Sequence, residues 1–139
     1  MFINIKPKQG LGMRYEVSAE WTEKARAIAR QLGFLHIPAE RVHCILSRGS
    51  KTRRTIARIH GLPKAIQLGA GLQPVYVIEL ILEKFGRQSG EEQVKTIIHE
   101  LMHIPHNFGG GFRNHRQHVT HQQVEETYRK YVQLKALNP

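Results

Sequence analysis

The sequence predicts an α+β fold, and three observations carry that prediction. A helical amphipathic stretch comes first, short apolar segments bounded by Gly, Pro and Ser clusters follow, and two capped helical stretches close the chain. The expected order is an N-terminal helix, a small mixed β-sheet, a helix carrying an H-E-x-x-H sequence, a glycine loop and a C-terminal helix. No internal repeat, low-complexity tract or Pro/Ser-rich linker divides them, so one domain over residues 1–139 is expected.

The first element runs from Ser18, a good N-cap, to Gly33, a good helix stop. Between them Trp21, Ala25, Ile28 and Leu32 recur at helical spacing and form one buried stripe. Val42 to Leu46 is short, apolar and followed by Ser47-Arg48-Gly49-Ser50, which reads as a strand. Thr55 to His60 reads as a second strand and Ala65 to Leu68 as a third. Val75 to Leu82 is the strongest strand candidate, rich in Val, Ile and Tyr with Pro74 at its entry, and should be well paired on at least one side. Ser89 and Glu92 have capping-box spacing and open a helix whose stripe is Val94, Ile97, Leu101 and Ile104, with Pro105 ending it. Gly109-Gly110-Gly111 marks a loop. Thr120 and Gln123 form a second capping box, leading into a final helix with Val124, Tyr128, Tyr131 and Leu134 inward.

Composition narrows the function. The chain has 21 Lys+Arg against 11 acidic residues, a net charge of +10, with 40% hydrophobic and 23% charged residues, which excludes general disorder and fibrous arrays. Its longest apolar run, Val75 to Leu82, contains Glu79 and falls far below the roughly 20 residues of a membrane span. The opening MFINIKPKQGLG lacks a cationic start followed by an apolar segment, so a cytoplasmic location is expected. Cys44, the single cysteine, can form no internal disulfide and no thiolate-rich zinc site. All acidic residues are Glu, which excludes any mechanism that requires an aspartate. Six of the nine histidines lie between His99 and His121.

Within the helix that begins after Ser89 stands His99-Glu100-Leu101-Met102-His103. Histidines four apart lie one above the other on a helix, so both imidazoles can aim at one point while Ile97, Leu101 and Ile104 hold another face against the core. That arrangement predicts two zinc ligands on a rigid element. Glu100 points about 100° around the helix from His99. In metallopeptidases this geometry makes the carboxylate a general base toward a metal-bound water, not a ligand.

A catalytic zinc needs a third protein ligand and an open fourth position. With no Asp in the chain, the candidates are His106, His115, His118, His121, Glu125 and Glu126. His106 follows Pro105 too closely to fold back easily. The three glycines could return His115, twelve residues after His103, to the mouth of the helix, and it is the first choice. His121 is the second. Glu125 or Glu126 would give a His-His-Glu set. Six residues after His103, where metzincins carry their third histidine, stands Gly109, so this is no metzincin.

The stretch IIHELMHIPHNFGGGFRNH, with SRGSKTRRTIARIHGLPKAIQ and YVIELILEKF before it, resembles metallopeptidases of archaea and phages. Their signature is a helix ending HELLHIP, a glycine-containing turn and a further His. The resemblance covers roughly residues 42–135 and implies a small zincin-like fold with zinc peptidase activity. Residue by residue it carries the metal to His99 and His103, the base to Glu100 and the third ligand to His115. SprT-like proteases, also small basic zincins, are more distantly similar.

In a zincin the strand before the active helix commonly lies along the cleft and pairs with an extended peptide or protein substrate, the place that Val75 to Leu82 occupies in the order. Glu79 in that strand could contact a basic substrate, but an exposed position paired with Lys or Arg is the favoured reading. Ser47, Arg48 and Ser50 match a serine-containing segment of the family and either shape the cleft or close a turn. Arg48, Lys51, Arg53, Arg54, Arg58 and Lys64 cluster without intervening acids and could attract nucleic acid. The rival function is therefore a non-catalytic, metal-stabilised nucleic-acid-binding module that uses the segment Arg48 to Lys64. A zinc peptidase is favoured.

Overall fold

The computed structural model describes residues 12–138; the opening segment read above for a leader lies largely outside them. Strand β1, Arg14–Val17, leads into helix α1, Ala19–Gln31, whose first turn is capped by the Ser18 hydroxyl accepting from Trp21 N–H at 3.1 Å. Ala25, Ile28 and Leu32 are buried as the stripe predicts, and Trp21 packs edge-on against Phe85 at 4.8 Å. A 3-10 turn, Ala39–Arg41, then feeds strand β2, Val42–Arg48. Strand β3, Ala57–Gly61, helix α2, Lys64–Ala70, and strand β4, Tyr76–Ile81, follow. A one-turn helix α3, Leu82–Phe85, precedes helix α4, Gly90–Met102, and helix α5, His121–Leu137, closes the chain.

The sheet is mixed, in the order β1-β2-β4-β3, with β2 and β4 parallel and both outer pairs antiparallel. One face carries Cys44, Leu46, Ile78, Leu80, Ala57 and Ile59 and packs on the core with Ala25, Ile28, Ile97, Ile98 and Leu101. Ile97, Leu101 and Ile104 are each 0% exposed, and burying side chains of this size contributes roughly 1.5–3 kcal/mol apiece to seating α4. Among the described residues no helix is long and apolar enough to cross a membrane.

Three sequence expectations are corrected, and one strand is added. Ala65 to Leu68 is not a strand but the body of α2, begun after Pro63 and stopped by Gly71, whose φ of 66° is the left-handed conformation that glycine tolerates. The strand β1 escaped notice because four residues with alternating exposure have no meaning until β2 pairs with them. β4 is flanked on both sides, so it has no free edge to offer a substrate; that edge belongs to β3. Glu79 is not exposed but 2% exposed, accepting from the Ser47 hydroxyl at 2.7 Å and lying 2.8 Å from His60 Nε2. Ser47 is therefore engaged inside the sheet.

The free edge of β3 has a defined register. Ile81 N–H donates to Ile56 O at 3.0 Å and Leu62 N–H donates to Val75 O at 3.3 Å, so the even-numbered residues turn their backbone groups toward β4. Ala57, Ile59 and Gly61 consequently turn theirs outward.

Candidate metal centre

His99 stands in the last turn of α4, and His103 is its C-cap residue, still in helical conformation at φ −72° and ψ −19°. The next carbonyls are closed by His103 N–H to Glu100 O and Ile104 N–H to Leu101 O, both 3.1 Å. The chain then turns through Gly109, whose φ of 97° suits glycine and where an added Cβ would lie 2.9 Å from Pro74 Cβ. The Tyr76 hydroxyl accepts from Gly109 N–H at 3.0 Å and donates to Gly110 O at 2.9 Å. Gln67, buried on α2, donates to Gly109 O at 3.0 Å. This pinned loop carries Phe112, Arg113 and His115 back over the end of α4.

The loop meets the helix end through two hydrogen bonds. Arg113 N–H donates to His103 O at 2.8 Å, and His103 Nδ1 lies 2.6 Å from Arg113 O. A carbonyl can only accept, so Nδ1 carries the ring proton and Nε2 presents its lone pair. The three Nε2 atoms of His99, His103 and His115 then form a triangle with sides 3.3, 3.1 and 3.2 Å. Ligands about 2.0–2.1 Å from a tetrahedral zinc stand roughly 3.3–3.4 Å apart, so this donor triangle fits such an ion. Among the described residues no fourth His, Cys or carboxylate joins the group.

Burial sets the protonation states. Desolvation lowers His99 to a pKa of about 4, helped by the neighbouring His103 and His115, and desolvation also lowers His103. Neutral imidazoles, the form that binds a metal, are thus favoured. Glu100 is 6% exposed, and burial pushes its carboxyl up to about 7. It faces the same cleft, of about 1110 Å³, as the three histidines. Cys44 is buried and pushed up to about 12, so it is no thiolate donor.

The other ligand candidates are placed elsewhere. His106 packs at a tilt against His36 with ring centroids 4.4 Å apart, and His118 Nδ1 accepts from the Arg113 guanidinium at 2.7 Å. His121 and Glu125 line the cleft, but Glu125 binds Lys95 at 3.0 Å and His121 lies 4.0 Å from Glu125. Glu126 accepts from Gln122. Two contributors escaped the sequence reading: the Arg113 carbonyl, a backbone group with no residue-type signal, and the Tyr76 hydroxyl, whose role needs the loop's path.

A centre of three histidines beside a buried carboxylate, set in a cleft between a helix pair and a sheet edge, defines a candidate metal-dependent hydrolytic site. The chain matches a family model described as "Putative phage metallopeptidase" over residues 13–135, and it belongs to that family. No curated protein and no solved structure matches it.

Proposed function

We propose that the chain is a zinc-dependent peptidase of the zincin type, with His99, His103 and His115 as ligands and Glu100 as general base. The observation that carries this reading is the Nε2 triangle, with sides of 3.1–3.3 Å, opening on the cleft that Glu100 also faces. A zinc ion there would supply Lewis acidity, polarising a carbonyl and lowering the pKa of water. Glu100, raised to about 7, accepts a proton from the attacking water near neutral pH and returns it to the departing amine. The Arg113 carbonyl keeps His103 in the tautomer that aims Nε2 at the ligand point. The β3 edge supports binding of an extended substrate, because Ala57 and Ile59 offer backbone N–H and C=O groups along the cleft.

The rival, a structural metal site in a nucleic-acid-binding module, calls for a closed fourth position, and among the described residues no fourth protein donor stands near the three. The test is digestion of an unfolded protein mixture by the zinc-loaded chain, with new N-termini read by mass spectrometry. Cleavage by wild type that is lost in Glu100→Gln supports the proposal. Cleavage that survives Glu100→Gln, or none from a fully zinc-loaded wild type, contradicts it.

A further inference from the structure

The walls of the cleft differ in charge. On the helical wall one cation, Lys95 Nζ, lies 3.4, 3.5 and 3.0 Å from Glu91, Glu92 and Glu125, so it offsets only part of their charge and that wall stays acidic. Arg113 is also engaged, by His118 at 2.7 Å and His106 at 3.4 Å. The strand wall is different. Arg54 and Arg58 line it, and no acidic residue occurs from Val42 to Ile78.

Arg58 is held without being consumed. Its Nε lies 3.9 Å from Glu79 Oε1, within reach of charge but beyond a hydrogen bond. Both Glu79 oxygens are already met, one by Ser47 at 2.7 Å and the other by His60 at 2.8 Å. Among the described residues the Arg58 guanidinium makes no hydrogen bond, and its side chain is 42% exposed. The result is a guanidinium restrained from behind by a buried carboxylate, its Nε buried and unpaired and the rest of the side chain exposed beside the open β3 edge.

Strand register says which substrate residue would meet it. Arg58 and Glu79 are directly paired and share the sheet face turned away from the core. A peptide added to the β3 edge places the residue opposite Arg58 on that same face, with Cβ atoms about 4.5–5.5 Å apart. Residues opposite Ala57 and Ile59 project instead to the inner face, the side of α4 and the histidines.

Resting on the peptidase reading, we propose that the cleft selects an extended peptide carrying Glu or Asp at the position opposite Arg58, with Arg54 reinforcing the preference. A peptide fits these features better than a nucleic acid. The open edge offers amide groups in strand register, the opposite wall carries Glu92 and Glu125, which repel phosphates, and among the described lining residues Phe112 is the one Phe, Tyr or Trp on which a base could stack.

The test uses zinc-loaded Glu100→Gln protein and fluorescent ten-residue peptides that differ only in carrying Glu, Gln or Lys at one position scanned along the sequence, with wild-type cleavage of the same peptides read separately. At one scanned position the Glu peptide should bind about tenfold tighter than the Lys peptide, and added Arg58→Glu should remove or invert that ratio. Arg58→Gln, which does not oppose Glu79, should weaken the ratio and guards against misfolding, with thermal melts confirming the fold. Arg30→Glu, on exposed helix α1 surface, should leave it unchanged. Equal binding of all peptides, a preference indifferent to both Arg58 variants, or a single-stranded DNA 12-mer that binds while the peptides show no preference overturns the proposal. Absent wild-type cleavage would count against the peptidase reading, whereas the binding ratio decides the acidic preference independently.

Discussion

His103 and Arg113 are joined twice, Arg113 N–H to His103 O at 2.8 Å and His103 Nδ1–H to Arg113 O at 2.6 Å. The first bond uses a carbonyl left over at the helix end, and the second fixes the tautomer of a side chain aimed into the cleft. One backbone contact thus terminates α4, folds the loop back and orients an imidazole. His115 follows Arg113 by two residues, so the same contact delivers the third imidazole.

The loop depends on Tyr76. Tyr76→Phe removes the hydroxyl that serves Gly109 N–H and Gly110 O, leaving both groups unpaired, at a cost of about 1–3 kcal/mol. We expect lower thermal stability together with a zinc affinity weakened about tenfold, the equivalent of ~1.4 kcal/mol. Isothermal titration with zinc checks this, and an unchanged affinity would mean that the loop holds His115 without the tyrosine.

Burial of Glu100 should appear as a pH-dependent cost in the metal-free protein. Its carboxyl is raised from 4.5 to about 7, so below pH 4.5 both folded and unfolded forms are protonated and no cost arises. As pH rises from 4.5 to 7 the unfolded chain ionises first, stability falls, and the full cost stands above 7. Its size is on the order of 2–3 kcal/mol. In chelator, Glu100→Gln should melt roughly 5–10 °C above wild type at pH 8 and converge with it near pH 4.5. A difference of the same size at both pH values would contradict the burial argument.

Ser47 and Glu79 should be coupled. Ser47→Ala leaves a buried carboxylate oxygen without its donor at a cost of about 1–3 kcal/mol, and the loss should be much smaller in a Glu79→Gln background. Urea unfolding of the two single variants and the double variant measures the coupling. Strict additivity would show that the 2.7 Å bond does not hold Glu79 in place.

Much of this was legible because it is local. The Ser18 cap, the Thr120–Gln123 capping box and the α4 stripe depend on residues three and four apart. The juxtaposition of His99 and His103 follows from the same helical spacing. What escaped was non-local or depended on pairing order. Nothing in YVIEL says that β3 will occupy the outer position and β4 an inner one, so both the cleft strand and the burial of Glu79 were misread. The short apolar run Ala65 to Leu68 fits either period, and what makes it a helix is Pro63 at its start and Gly71 at its end. Choosing among six third-ligand candidates required the loop's path, which is set by Tyr76, Gln67 and Arg113 acting across 33, 42 and 10 residues of sequence.

In the proposed site three histidines hold a zinc that Glu100 faces without ligating. Zinc per chain and zinc affinity, measured by equilibrium dialysis on wild type, His115→Ala and Glu100→Gln at pH 7.5, test it most directly. We predict about one zinc per chain in wild type and Glu100→Gln, with affinity reduced at least a hundredfold in His115→Ala. Wild-type affinity in His115→Ala, or loss of zinc in Glu100→Gln, would contradict the assignment.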